Sequence, residues 1–129
     1  MSDPVLLVDD DPTLLRAVKR SLEDEFEVFT ASSGADALAL LESGQSISVV
    51  VSDMKMPQMD GVELVLKIRE RWPLIPCIIL TGNQDEDSMT RVVEVAKAFK
   101  LLNKPSPRAE LIQGIQSALD TYRDGMTRA

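Results

Sequence analysis

The sequence predicts an α/β domain of the doubly wound (βα)5 type, in which helices cover both faces of one five-stranded parallel sheet. The chain has 129 residues, a length typical of a single domain with one core. Short apolar runs rich in branched residues alternate five times with longer stretches of helical periodicity, which is the pattern of βαβ units. Three of these runs are apolar or nearly so, as the central strands of a parallel sheet are.

The apolar runs are the predicted strands. Residues 5–8 and 77–80 are apolar runs, and 47–51 is apolar apart from Ser48; all three are predicted to lie at the centre of the sheet. Glu27–Ala31 alternates polar and apolar residues, a pattern typical of an edge strand, and the short run Lys100–Asn103 is the fifth candidate. These runs predict a sheet whose central strands are covered on both faces.

Apolar residues spaced three and four positions apart predict a helix after each strand. The stripes consist, in order, of Leu14, Leu15, Val18 and Leu22; Leu38 and Leu41; Val62, Val65 and Leu66; Val92, Val93 and Val95; and Ile112, Ile115 and Leu119. Capping residues mark three of the helix starts. They are Asp11 before Pro12, Asp60 before Gly61, and Ser106 before Pro107.

Composition limits the chemistry that is available. The chain carries a formal net charge of −7 and no histidine, so it lacks both the basic surface that nucleic acids need and any imidazole base or ligand. The single Cys77 lies in an apolar run, which favours a packed thiol over a nucleophile. No apolar run reaches the ~18 residues of a membrane span, and no signal peptide precedes the first strand, so we expect a cytoplasmic location.

Reactive side chains follow four of the predicted strands. In an open parallel sheet with right-handed crossovers, the carboxyl ends of all strands share one edge, where ligands bind. The side chains at this edge are Asp9, Asp10 and Asp11 after the first strand, Asp53 after the third, Thr81 after the fourth and Lys104 after the fifth. Asp11 alone is explained as a helix cap, and Thr81 and Lys104 alone as turn and loop residues. Their joint placement favours a functional site.

The residue types at this edge indicate phosphoryl transfer. Three converging carboxylates repel one another unless they are protonated or share a hard cation, and Mg²⁺ prefers such oxygen ligands. A hydroxyl and a lysine opposite the cation suit the oxygens of a transferred phosphoryl group. With no histidine and no phosphate-binding glycine loop, the candidate nucleophile is Asp53, which can form an acyl phosphate.

At these residues the chain resembles the receiver domain of bacterial two-component response regulators. The matching segments are 6–12 (LLVDDDP), 51–61 (VSDMKMPQMDG), 80–82 (LTG) and 103–105 (NKP). Four motifs in order, at the spacing of the family, make the resemblance specific. It covers nearly the whole chain, so residues 1–122 are the predicted receiver domain and residues 123–129 a polar C-terminal tail or the start of a linker.

The resemblance implies the flavodoxin-like receiver fold, with strand order 2-1-3-4-5. It implies a signalling switch in which a sensor histidine kinase or phosphotransfer protein phosphorylates Asp53. Thr81 then moves inward, and the surface of the fourth helix and fifth strand changes for an output domain or protein. Such a domain contacts neither nucleic acid nor membrane directly, and a homodimer formed on phosphorylation is among its expected states.

The resemblance also assigns roles to the site residues. Asp10, Asp53 and the backbone carbonyl of Lys55 would bind Mg²⁺, and Asp9 would contribute through a water molecule. Thr81 and Lys104 would hold the phosphoryl oxygens, while Pro57 and Gly61 would shape the loop over the site. The domain would phosphorylate itself from a donor rather than act as a free-standing enzyme.

The phosphorylated state is predicted to be long-lived. In receivers the side chains two residues after the phosphorylated aspartate and two after the threonine flank the path of the attacking water. Here these are Lys55 and Asn83, and neither is a carboxylate that could orient that water. The simpler interpretation is that Lys55 points into solvent.

Two departures from the family pattern affect the predicted output face. Leu101 replaces the aromatic residue that usually lies three positions before the lysine, and Lys97 stands where glycine is common. Phe99 is predicted to share the face of Leu101 and could replace the missing ring, although core packing is its favoured role.

Two other functions are left open by the sequence. A degenerate receiver would keep the fold as a phosphorylation-independent protein-binding module, but the complete set of expected site residues disfavours it. A phosphatase of the haloacid dehalogenase kind would need a second aspartate two residues after Asp53, where this chain has Lys55.

Overall fold

A computed structural model describes residues 3–82, 98–104 and 106–128 of the chain. Within these ranges the strands and helices alternate in the predicted order. The strands are β1 (Pro4–Val8), β2 (Glu27–Ala31), β3 (Val49–Asp53), β4 (Cys77–Thr81) and β5 (Lys100–Asn103), and the helices are α1 (Pro12–Leu22), α2 (Gly34–Glu42), α3 (Gly61–Arg71) and the C-terminal helix (Arg108–Arg128). The predicted fourth helix, with Val92, Val93 and Val95, lies outside the described residues, as do Asn83 and Lys97.

All five strands run parallel in one sheet, in the order β2-β1-β3-β4-β5. The predicted fold class and strand order are therefore confirmed. Because β1 and β3 are neighbours from which the chain winds in opposite directions, the switch in strand order falls between their carboxyl ends. The predicted edge positions of β2 and β5 are also confirmed, since each pairs with a single strand within the described residues.

Strict alternation of side chains divides the core into two clusters on opposite faces of the sheet. In β1, Val5 and Leu7 belong to one cluster, whereas Leu6 and Val8 belong to the other. The first face is covered by α1 and the C-terminal helix, and the second by α2 and α3. This explains why the central strands are apolar along most of their length, because both sets of alternating side chains are buried.

Some predicted boundaries differ from the structure. β3 begins at Val49 rather than at residue 47, and it ends on Asp53 itself, within the usual spread of strand assignments. The C-terminal helix begins at Arg108, where the carbonyl of Pro107 accepts from the amide of Leu111 at 3.0 Å. Ser106 does not cap this helix, since its buried hydroxyl has no hydrogen-bond partner among the described residues.

The C-terminal helix is the longest described element and continues through Arg128. Buried residues of its apolar stripe, such as Leu111 and Ile115, pack on the sheet, while Met126 near its end is exposed. Residues 123–128, predicted as a tail or the start of a linker, are therefore a continuation of this helix. Within the described ranges, no helix combines the length and apolarity needed to cross a membrane.

Asp11 caps α1, as predicted, and so orients the chain directly after the cluster of aspartates. Its Oδ1 accepts hydrogen bonds from the backbone amides of Thr13 at 3.0 Å and Leu14 at 3.2 Å. Its backbone is extended, and Pro12 occupies the first helical position, where an amide hydrogen is not needed. Its side chain therefore has a structural role.

We predict that Asp11→Ala lowers the free energy of unfolding by about 1 kcal/mol, because two amides at the start of α1 lose their acceptor. The melting temperature should fall by roughly 3–5 °C, which differential scanning calorimetry would measure. Asp11→Asn is the matched control, since the amide oxygen also caps helices well. Equal melting temperatures for Asp11→Ala and the parent would contradict this role.

Candidate functional site

The predicted site residues come together at the carboxyl edge of the sheet. Asp9 follows β1, Asp53 is the last residue of β3, Thr81 is the last residue of β4, and Lys104 follows β5. Backbone hydrogen bonds fix this edge. The amide of Lys104 donates to the carbonyl of Thr81 at 2.8 Å, and the amide of Met54 donates to the carbonyl of Leu80 at 2.9 Å. The strands thus place one carboxylate on each side of the switch point.

The acidic cluster consists of Asp9, Asp10 and Asp53. One carboxylate oxygen from each lies within 4.8 Å of the other two. Asp9 and Asp53 are only 6% and 8% exposed, whereas Asp10 is open to solvent. The backbone amide of Asp11 donates to Asp9 Oδ1 at 2.9 Å and so holds this carboxylate in place. Several hard oxygen atoms, two of them buried and one facing water, form a donor set that fits Mg²⁺.

Lys104 is the counter-ion of the two buried carboxylates. Its Nζ donates to Asp9 Oδ2 at 3.0 Å and forms an ion pair with Asp53 Oδ2 at 3.3 Å. Desolvation alone would lower the pKa of Lys104, but the hydrogen bond with Asp9 and the charges of both aspartates raise it above its ordinary value. The ammonium group therefore remains charged between the carboxylates.

The pKa of Asp53 is raised above its ordinary value of 3.8. Burial is the main cause, because desolvation disfavours the carboxylate, and the nearby charge of Asp9 raises the pKa further. The charge of Lys104 and hydrogen bonds from Lys104 and the backbone of Met54 oppose this shift. Asp53 is thus a partly desolvated carboxylate whose negative charge is incompletely balanced by its protein surroundings.

The loop from Met54 to Asp60, the 54–60 loop, connects Asp53 to α3. The amide of Gly61 donates to the carbonyl of Met54 at 2.9 Å and closes its base. A Cβ on Gly61 would lie 2.6 Å from the Asp53 carbonyl oxygen, so only glycine allows α3 to begin directly against this strand end. Asp60 caps α3 through the amide of Glu63 at 2.9 Å, as predicted. The start of α3 predicted from Asp60 and Gly61 is therefore confirmed.

An open cleft lies beside Asp53. It is lined by Asp53, Met54, Lys55, Gly82 and Lys104. Lys55 is exposed, as the simpler interpretation of its side chain predicts. Thr81 is buried, with 3% of its surface exposed, at the edge beside this cleft. The cleft gives a small anion access to Asp53 and Lys104 from the same direction.

The interpretations of Cys77, Leu101 and Phe99 have mixed outcomes. Cys77 is buried, and desolvation raises the pKa of its thiol to about 12, which confirms a packed thiol. Leu101 packs against the core cluster on the α2 and α3 face. The core role predicted for Phe99 is wrong, because this ring is 38% exposed. Phe99 precedes the first residue of β5, so strand alternation does not govern its direction.

Comparison with known families identifies the class of protein. The model of the response regulator receiver domain matches residues 5–116 of the chain. The curated relatives include the hydrogenase transcriptional regulatory protein HoxA of Cupriavidus necator, 37% identical over 116 residues. They also include the DNA-binding transcriptional regulator NtrC of Escherichia coli, 32% identical over 121 residues. The chain belongs to the response regulator receiver domain family.

These alignments cover 90% and 93% of this chain but only 24% and 25% of HoxA and NtrC. The chain thus spans about a quarter of the length of these curated relatives. The resemblance found in the sequence is confirmed, and it concerns their receiver portion.

Solved structures give the same result. A receiver domain protein from Clostridium thermocellum is 35% identical with a TM-score of 0.86, and the match covers 97% of this chain and 98% of that one. A structure described as adenylate cyclase from Rhodopirellula baltica is 36% identical with a TM-score of 0.92, over 99% of this chain and 95% of the other. The receiver fold is therefore shown by both sequence and structure.

We predict that Asp53→Asn raises the melting temperature of the Mg²⁺-free protein. The raised pKa means that the folded state binds the Asp53 proton more tightly than the unfolded chain, so ionised Asp53 lowers stability at neutral pH. Lys104 keeps its hydrogen bond to Asp9 in this variant. The difference should be largest at neutral pH and should vanish as the pH falls through the folded pKa toward 3.8. An unchanged or lower melting temperature at pH 7 would contradict the prediction.

Proposed function

We propose that this chain is a phosphorylation-activated signalling switch in which Asp53 accepts the phosphoryl group. One observation carries the proposal. Asp53 is a buried carboxylate at the central strand end, ion-paired with Lys104 at 3.3 Å and grouped with the carboxylates of Asp9 and Asp10. The charge pattern combines a nucleophile, a cation for phosphoryl oxygens and oxygen ligands for Mg²⁺. Membership of the receiver family supports the same assignment.

The proposed reaction is an in-line displacement at phosphorus. A carboxylate oxygen of Asp53 forms a bond to phosphorus, while the bond from phosphorus to a histidine nitrogen of the donor breaks. The electron pair of the broken bond remains on that nitrogen. The product is an acyl phosphate on Asp53. A small donor such as acetyl phosphate would transfer its phosphoryl group in the same way, with acetate as the leaving group.

Lys104 and Thr81 would hold the transferred group. Lys104 already contacts Asp53 Oδ2, so its ammonium needs to move little to bind a phosphoryl oxygen. Thr81 lies at the end of the adjacent strand, from which its hydroxyl would donate to a second oxygen. Mg²⁺, held by Asp10, Asp53 and the carbonyl of Lys55, with Asp9 acting through water, would supply positive charge that offsets that of the phosphoryl group.

The proposed partners are a sensor histidine kinase or phosphotransfer protein upstream, and an output domain or protein downstream. The relatives HoxA and NtrC are transcriptional regulators in which the matched segment is a minor part. Phosphorylation would change the surface formed by β5 and the predicted fourth helix, and would favour a homodimer. We also propose that the domain acts in the cytoplasm, as expected from the sequence.

The degenerate receiver is the second candidate. The ion pairs of Lys104 with Asp9 and Asp53 give these side chains a structural role within the cluster. A phosphorylation-independent binding module therefore needs no chemistry from these residues. Stable modification of Asp53 separates the receiver from this module, and rapid repeated turnover would indicate a phosphatase instead.

We predict that Asp53→Asn abolishes acyl-phosphate formation, because the amide has nearly the same shape but is not a nucleophile. Mass spectrometry after treatment with acetyl phosphate and Mg²⁺ would measure the phosphoryl adduct. Asp11→Asn is the matched control, since this substitution alters a neighbouring aspartate that caps a helix and should leave the adduct intact. A phosphoryl adduct that persists in Asp53→Asn would refute the assignment.

Mg²⁺ should bind weakly and should lose affinity in Asp10→Ala, because the cluster then lacks its exposed carboxylate. Isothermal titration calorimetry is the appropriate measurement. Trp72 follows the last residue of α3, at the opposite end from Gly61, so its fluorescence is not expected to respond. In the parent, Mg²⁺ should also raise the melting temperature by mass action. If Asp10→Ala binds Mg²⁺ as tightly as the parent, the proposed metal site is wrong.

Slow dephosphorylation is the last part of this proposal. Lys55 is exposed at the cleft over Asp53, where its ammonium can approach the phosphoryl group or cross the path of the attacking water. Lys55→Ala should therefore shorten the lifetime of phosphorylated Asp53. The decay of the adduct after removal of acetyl phosphate measures this, and Lys67→Ala, on the exposed surface of α3, is a control. Equal decay of Lys55→Ala and the parent would exclude a role for Lys55.

A further inference from the structure

The first half of the 54–60 loop is held in place by two buried methionine side chains. The side chains of Met54 and Met56 are 4% and 9% exposed and belong to the core cluster under α2 and α3. Lys55 lies between them with an exposed side chain. Since the amide of Gly61 also binds the carbonyl of Met54, the base of the loop is closed.

The second half of the loop has a backbone that needs external support. Gln58 adopts a φ of 70°, in the left-handed region that residues with a Cβ rarely occupy. The amide of Met59 donates to the carbonyl of Pro57 at 2.7 Å, which makes the turn tight. A conformation of this kind is strained and persists only where surrounding contacts hold it.

The second half of the loop is held by the contact of Met59 with Gly34. A Cβ on Gly34 would lie 2.6 Å from Met59 Sδ, 3.1 Å from Cγ and 3.2 Å from Cβ. Gly34 has no positive φ, so its backbone does not require glycine. The space is needed for Met59. Because the Cβ of Met59 is also close, rotation of the thioether alone would not make room for a larger residue at position 34.

We propose that Met59 is a positioning residue for Mg²⁺ binding, and that its contact with Gly34 fixes the loop that carries the Lys55 carbonyl. Met59 also packs against the core cluster on that face of the sheet. The loop is thereby attached to the core through Met54 in its first half and to α2 through Met59 in its second half. This inference rests on the proposed function, in which Lys55 supplies a metal ligand, and it adds a residue that lies outside the metal-binding set.

The test is the affinity for Mg²⁺ alone, measured by isothermal titration calorimetry on the full chain. Gly34→Ala should displace Met59, and Met59→Ala should remove the contact. Each is expected to weaken Mg²⁺ binding roughly tenfold, the lower end of the range for residues that support metal ligands. Met59→Leu should keep near-parent affinity because it conserves volume. The double variant should lose no more than the weaker-binding single variant, since both changes act on one contact.

Gly114→Ala is the matched control. It adds a methyl group in the C-terminal helix, where the nearest atom, Leu102 Cδ1, is 3.4 Å from the new Cβ. It should bind Mg²⁺ like the parent. Cooperative melting of each variant shows that it is folded, and Met59→Ala and Met59→Leu alter a loop residue that is only partly buried.

Asp10→Ala separates the two proposals. If Asp10→Ala binds Mg²⁺ like the parent, the metal site itself is misassigned, and the role of Met59 falls with it. If Asp10→Ala loses binding while Gly34→Ala and Met59→Ala bind as tightly as the parent, Met59 does not position the loop. A double variant whose loss is the sum of the two single losses would also overturn the inference, because the residues would then act independently.

Discussion

The ion pairs of Lys104 with Asp9 and Asp53 are the interaction on which the site depends. The chain winds in opposite directions from β1 and β3, which brings the carboxylates of Asp9 and Asp53 to the switch in strand order. Burial there removes much of the water that would screen their charges. The ammonium group makes this arrangement compatible with a stable fold. It does not balance the cluster fully, as the raised pKa of Asp53 shows. The excess negative charge that lowers stability also favours binding of a divalent cation.

Much of this architecture follows from local sequence patterns. The apolar runs predict the strands because both faces of a parallel sheet are buried, and the caps Asp11 and Asp60 predict the starts of two helices. The site residues follow from the same patterns, since the carboxyl ends of parallel strands share one edge. These patterns do not predict the order of the strands in the sheet, which was inferred from the resemblance to the receiver family.

Other features depend on tertiary contacts that no local pattern reveals. The contact of Met59 with Gly34 joins residues from different elements, and neither spacing nor composition predicts it. The ion pairs of the Lys104 ammonium with both Asp9 and Asp53 depend on side-chain conformations in the folded protein. The exposed position of Phe99 differs from its predicted core role because it precedes β5, where the alternation of strand side chains does not apply.

The position of β5 has a mechanical consequence. β5 has four residues and, in the part of the chain that the structure describes, pairs only with β4, so one ladder restrains it, whereas β3 is held on both sides. Lys104 therefore follows the strand with the fewest backbone restraints. Asp53, in contrast, ends β3, which cannot shift without breaking its hydrogen bonds to two neighbouring strands. A change in charge at Asp53 is therefore more easily accommodated by displacement of Lys104 and the rim of the sheet than by distortion of its centre.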